Sequence, residues 1–416
     1  YTYKATDDAH SLTATRKAWV SEVLGGPAST VADGIERNRS WILGNLGGDE
    51  KARSLSLAYD AMEFNLNGDS AADAAGGLAP WAATQLGGLA LTNMDLGQGA
   101  IGGVLDKLSN QEGPEAISAL DSDQNTAALA AAPAAGEGVG PARDWAIWLT
   151  PLARFDRLNA KSASFDDLDG TSTGISAGLA RRMDFGTLAF GGFFLNGELE
   201  GGNTDLDSTT FGLLAAWRSK ALAGEAAFSP WLQIDLGYAY TSYDQEREDM
   251  FGFTNTSDLR QQTLRAGLSL GQDFYPDPAL RLTPVLGLDY TFAHQSGYTE
   301  DGPFLPLSVD ADSFNSLRGK IGFTADWRAL EYISLDAHAF YRYEFADTSV
   351  DLDSQFADTP VNFITEGEDY DRSSGNMGLG LNWHMSESLT LRGGYDFTVG
   401  DHYQGHEVSA MLKWEF

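Results

Sequence analysis

The sequence predicts an all-β membrane protein: a 12-stranded antiparallel up-and-down barrel of the outer-membrane kind, preceded by an α-helical N-terminal segment. Three observations carry this. After Arg143 the apolar residues recur with a period of two. The strands so defined are longer than the roughly 5 to 6 residues usual in soluble sheets. The links between them alternate short and long, as periplasmic turns and external loops do.

The helical segment comes first. Ser11–Leu24 and Glu50–Phe64 carry good helix formers at helical spacing. Gly-Gly pairs starting at 25, 47, 76 and 87 punctuate the text and read as turns. From Pro114 an alanine-rich helical stretch leads into a flexible Gly/Pro connector. The chain opens at Tyr1 with no signal peptide, which reads as a processed or truncated start.

The strands follow. They are expected near 145–157, 171–183, 186–198, 206–219, 228–243, 259–274, 280–295, 314–328, 332–345, 373–385, 387–399 and 404–416. In 317–328, Leu317, Ile321, Phe323, Ala325 and Trp327 share one face, and Arg318, Lys320, Thr324, Asp326 and Arg328 the other. Leu282, Leu286, Leu288 and Tyr290 likewise oppose Arg281, Thr283 and Asp289. Short links are expected at Asp184-Phe185, 276–279 and 329–331, and long ones at 244–258, 296–313 and 346–372. Aromatic residues gather near strand ends, as at Tyr238, Tyr240 and Tyr243, or Tyr341, Tyr343 and Phe345, like an interfacial girdle. A soluble sandwich would alternate in the same way, so length, links and girdles decide for the membrane.

Composition agrees. Forty-seven glycines with 15 Tyr, 10 Trp and 22 Phe are what barrels use. No run reaches the roughly 18 apolar residues of a transmembrane helix, but alternating strands need none. A net charge of -32 excludes nucleic acid as a partner, because phosphate binding needs basic surface. The same charge repels anionic headgroups unless divalent cations bridge them. With no cysteine there are neither disulfides nor thiolate metal sites.

The polar faces place Arg265, Arg281, Asp289, Arg318, Lys320, Asp326, Arg328, Asp336, Arg342, Arg392 and Asp396 on the barrel's inner wall, with Asp235 among them. Such a lining hydrates a pore, and its members also pair across strands. At the other extreme, Val408, Ala410, Leu412, Trp414 and Phe416 share one face of the last strand. They look like the terminal signal read by the outer-membrane assembly machinery.

Enzyme signals are weak. Gly68-Asp69-Ser70 echoes the nucleophile block of esterases, yet no downstream Asp-x-x-His partner accompanies it, and an N-cap turn accounts for it. Asn65-Leu66-Asn67 is too common a tripeptide to argue for self-cleavage. Acidic loop groups such as Asp166, Asp167 and Asp169, or Glu366, Glu368 and Asp369, match no calcium pattern and read as solvated. His402 and His406 flank the final loop, where a girdle role outweighs metal binding. No catalytic residue, metal or cofactor is expected.

Residues 145–416 resemble the autotransporter β-domain family. The matching words are WAIWLTPLARFD, TSTGISAGLARR, LTPVLGLDYTFAHQSGYTEDG, SLRGKIGFTADWR and LTLRGGYDFTVGDHYQGHEVSAMLKWEF. Most specific is Tyr298-Thr299-Glu300-Asp301-Gly302 followed by Ser316-Leu317-Arg318-Gly319. The resemblance covers about two thirds of the chain. It implies type V secretion, an outer-membrane barrel with an α-helix in its lumen leading to an exported passenger. Residues 1–113 would then be a passenger remnant or small passenger, 114–142 the pore helix and linker, and 143–416 the barrel. Pro114–Ala135 is favoured for the pore helix over Gly97–Asn110, whose glycines each weaken a helix by about 1 kcal/mol. Expected partners are outer-membrane lipid and lipopolysaccharide, the assembly machinery, and the chain's own passenger segment in the lumen. The rival readings are an outer-membrane enzyme or adhesin acting through or upstream of residues 1–142, and a general porin.

Overall fold

The computed structural model describes residues 2–5, 12–15, 26–64, 78–109, 144–161, 167–220, 229–249 and 251–416. Twelve antiparallel strands close into a barrel. In chain order they are β3 (Trp145–Leu158), β4 (Leu168–Met183), β5 (Gly186–Gly201), β6 (Thr204–Ser219), β7 (Ser229–Glu248) and β8 (Thr254–Asp277). The ring continues with β9 (Leu280–Gln295), β12 (Asp312–Leu330), β13 (Ile333–Glu344), β16 (Ser373–His384), β17 (Leu389–Val399) and β18 (Tyr403–Glu415). The seam is β18 on β3, with Leu412 opposite Leu149 and Trp414 opposite Ile147. Phe416 N–H donates to the Trp145 carbonyl at 2.9 Å, and Trp145 N–H returns the bond at 3.2 Å.

The faces separate as their periodicity requires. Phe211 is 63% exposed, Leu213 65% and Leu379 67%, whereas Thr210, Asp235 and Thr263 on inward positions are buried. Large apolar side chains that face out of the molecule while polar ones face in invert the soluble pattern. Hydrocarbon is the solvent that makes this arrangement favourable.

Two mouths follow from the topology. At one end β3 begins and β18 ends, and two-residue turns join β4 to β5, β8 to β9 and β12 to β13. This is the periplasmic end. The other end is elaborate. There β10 (Tyr298–Thr299), β11 (Leu307–Val309), β14 (Leu352–Phe356) and β15 (Asn362–Thr365) form a second, four-stranded sheet from the loops after β9 and β13. The expected loop at 244–258 is instead mostly strand, because β7 continues past the membrane to Glu248 and β8 resumes at Thr254. What holds this extension is Arg247, whose Nε and Nη2 donate to Glu300 at 2.8 and 2.6 Å with both side chains fully buried. Burial lifts the neighbouring Tyr298 hydroxyl above its usual range, and Glu300 adds to the shift.

The helical segment sits over this outer mouth. Helices α1 (Gly26–Arg37), α2 (Arg39–Asn45) and α3 (Glu50–Phe64) cover the external sheet, and α3 keeps its expected bounds. Val31, Ile35 and Leu55 share one apolar core with Leu307, Phe356 and Phe363 of the sheet and with Leu168, Leu206 and Leu259 of the barrel rim. Gly34 comes so close to β15 that a Cβ there would stand 2.7 Å from the Asn362 carbonyl oxygen. Of the helix expected at Ser11–Leu24 only 12–15 fall within the described residues, and there the expectation is corrected: Leu12–Thr15 is a strand, β2, paired with β1 (Thr2–Ala5). Its two threonines are β-branched and suit a strand better than a helix. The Gly47-Gly48 turn is observed, but Gly87-Gly88 lies inside a helix.

Replacing Glu300 by Ala leaves the buried Arg247 charge without this carboxylate, a loss of about 3 to 5 kcal/mol. New protease cuts should appear within 296–372 while the barrel keeps its compact gel mobility. An unchanged digest would refute the assignment.

The lumen and its helix

A short 3-10 turn at Trp81–Gln85 feeds a 24-residue helix, α4 (Leu86–Ser109). Its ion pairs reach β6, β8, β9, β12 and β13 in one half of the ring, and its apolar residues cluster with Trp148 of β3, Phe193 of β5 and Met411 of β18 in the other, so the helix runs inside the barrel. The Leu86 carbonyl accepts from Gln261 at 3.0 Å near the outer mouth. At the periplasmic end Ser109 Oγ donates to Thr187 Oγ1 at 2.9 Å. Arg182 caps the last turn there, donating to the Leu108 carbonyl from Nε at 3.2 Å and Nη2 at 3.0 Å. A cation on the final carbonyls suits the negative pole of the helix dipole.

The helix has two unlike flanks. Met94, Ile101, Val104, Leu105 and Leu108 pack on Trp148, Phe193, Leu214 and Met411. Gly97 is required on this side, since a Cβ would stand 2.5 Å from the Phe193 ring. The other flank bears Asp95 and Asp106. Asp95 is held by Arg318 (2.9 Å), by Arg342 (3.1 Å) and by Arg265. Asp106 is held by Arg218 at 2.5 Å and by both terminal guanidinium nitrogens, Nη1 and Nη2, of Arg281. Between these grips the glycine side of α4 faces a cavity of about 320 Å³, bounded opposite by residues such as His338, Arg392 and Glu407.

The residues expected on the inner wall divide into three groups. Arg265, Arg281, Arg318 and Arg342 touch the helix carboxylates. Others pair within the wall: Lys320 with Asp289 (3.7 Å), Arg281 with Asp326 (2.6 Å), Arg392 with Asp336 (2.8 Å) and His338 with Asp396 (3.0 Å). Arg328 is half-buried toward the periplasmic end of β12 and has partners of its own. Sequence reasoning missed Asp95, Asp106, Arg218 and the buried Arg154–Asp156–Tyr403 cluster. A signal for the first two existed: they are the only acidic residues in α4. Pro114–Ala135 lies outside the described residues, as do Asn65-Leu66-Asn67 and Gly68-Asp69-Ser70. Among the described residues the lumen holds Leu86–Ser109, which contains most of the glycine-rich rival segment.

Val408, Leu412, Trp414 and Phe416 face outward and are each 44 to 52% exposed, and Ala410 shares their side. His402 bonds Asp371 in the outer loops, while His406 stacks on Phe397 with ring centroids 4.9 Å apart. Among the described residues no group of three or more His, Cys, Asp or Glu is placed to hold a metal ion. The arrangement is one that grips and fills.

Residues 147–396 match the family model described as autotransporter beta-domain. Esterase EstA of Pseudomonas aeruginosa and its namesake from Pseudomonas putida are each 25% identical over 266 residues, covering 60% of this chain. The chain spans 39% of the length of these relatives. Among solved structures, the translocator domain of autotransporter NalP from Neisseria meningitidis superposes with a TM-score of 0.55 at 13% identity, over 73% of this chain and 93% of that one. That likeness speaks for the fold.

Deleting Leu86–Ser109 should raise single-channel conductance in planar bilayers several-fold over the intact chain. Equal conductance would show that the helix does not obstruct the lumen.

Proposed function

This chain belongs to the autotransporter β-domain family, and from that premise we propose that its barrel supports export of its own N-terminal residues and then anchors them at the cell surface. One observation carries the reading. Helix α4 enters at the outer mouth, where α1 to α3 sit, and ends at the periplasmic mouth, where β3 begins. A ring bonded along every seam has no lateral exit. Residues before Leu86 therefore reach the outer side only through the lumen. We divide the chain accordingly into an exported part before α4, a lumen helix with its connector, and a barrel from 143 to 416. The protein resides in the outer membrane, with the exported part outside. Lipopolysaccharide is the proposed outer-leaflet neighbour of the apolar band. The assembly machinery is the proposed reader of Val408, Ala410, Leu412, Trp414 and Phe416, whose outward exposure leaves them accessible.

A second reading concerns only the exported part. Both curated relatives are esterases much longer than this chain, so an ester hydrolase is a candidate cargo. Surface hydrolysis of a p-nitrophenyl ester that is lost on Ser70→Ala would locate such activity in this chain.

An epitope inserted at the exposed Gly47-Gly48 turn should bind antibody on intact cells. Binding only after permeabilisation would overturn the export reading. Trp414→Ala combined with Phe416→Ala should reduce the folded, heat-modifiable barrel at least two-fold, and undiminished assembly would remove these residues from the signal.

A further inference from the structure

Asp95 and Asp106 stand eleven positions apart on α4. Eleven residues make close to three helical turns, so the carboxylates share one face about 16 Å apart along the axis. The barrel offers cations at the same interval: Arg265, Arg318 and Arg342 about the first carboxylate, Arg218 and Arg281 about the second. Between them this side of the helix has almost nothing to hold. A Cβ at Gly99 or Gly102 would meet no atom within 4 Å, and one at Gly103 would meet only the Met411 methyl at 4.0 Å.

The apolar flank packs without directionality. Guanidinium–carboxylate pairs add geometric specificity. A slip of one turn, about 5.4 Å, would take both carboxylates off their arginines together. Two steric notches compete as register marks, Gly97 against Phe193 and Gly87 against Phe314. We propose that the lumen is a receptor for a helix bearing two carboxylates three turns apart, and that this spacing sets the register at which the outgoing chain comes to rest. The proposal rests on the export reading and gives it a stopping point. The segment it fits is apolar on one flank, small on the other, and acidic at both ends of the interval.

The chain has no cysteine, so an engineered disulfide reads register directly. Ser109→Cys with Thr187→Cys joins positions whose hydroxyl oxygens lie 2.9 Å apart. In the full-length, membrane-inserted protein this pair should oxidise almost completely. Adding Asp95→Asn and Asp106→Asn should cut the yield at least five-fold while the folded gel band persists. Adding Asp95→Glu and Asp106→Glu should keep more than half of it. Full yield in the Asn variant overturns the proposal and leaves register to the Gly97 and Gly87 notches. Equal loss in the Glu and Asn variants also overturns it, since charge is then not what is read. Should the double Asn variant lack the folded band, Asp106→Asn alone should still lower the yield at least two-fold, and no change overturns the proposal. Antibody binding at Gly47-Gly48 on the same cells tests export separately, so register can fail while export stands.

Discussion

A backbone N–H or C=O left without a partner in hydrocarbon costs several kcal/mol, and this molecule meets that constraint by closing a sheet on itself. The β18–β3 seam is where the ring is made or lost, because an open edge would expose a row of donors and acceptors to lipid. Closure then dictates the rest. Alternation sends Leu213, Leu286 and Leu379 outward and Thr210, Thr263 and Arg265 inward. An interior built of the inward set is polar and too crowded with charge to stand empty of counter-charge.

The inner wall balances part of that charge by itself, as Arg392 does with Asp336 and Lys320 with Asp289. The remainder is balanced by α4. Its glycines would weaken an exposed helix by about 1 kcal/mol each relative to alanine. Inside the barrel the same glycines allow close approach, as at Gly97 on Phe193 and Gly87 on Phe314. Enclosure also takes away the water that would compete for the helix's backbone bonds. A residue choice that is unfavourable by propensity is thus favourable by fit.

This contrast explains what could be read from the sequence. Apart from the outer ends of β7 and β8, strand bounds were legible to within three residues, because a two-faced strand between lipid and water leaves a strong period. The inner charges were legible for the same reason. Where both faces carry polar residues the pattern vanishes, and so the β7–β8 extension beyond Tyr243, whose buried face is built of Gln245, Arg247, Asn255 and Ser257, read as loop. The external sheet was hidden because its strands are very short, β10 being two residues and β11 three. The glycine-rich helix seen in the lumen was not legible from propensity, since its stability comes from partners far away in sequence, such as Arg218 and Arg342.

The two ends of the internal chain are secured by different forces. Helices α1, α2 and α3 have 12, 7 and 15 residues, at or below the length at which an isolated helix is marginal in water. Their apolar faces are covered by the external sheet, which exists only where the β9 and β13 loops emerge. Their folded form therefore belongs to the outer mouth and to no other place on the barrel. Inside, α4 is held by ions whose partners are fixed in the wall, and buried pairs are screened by salt far less than exposed ones. Hydrophobic burial outside keeps the chain from returning, and the arginine clusters within keep it from advancing.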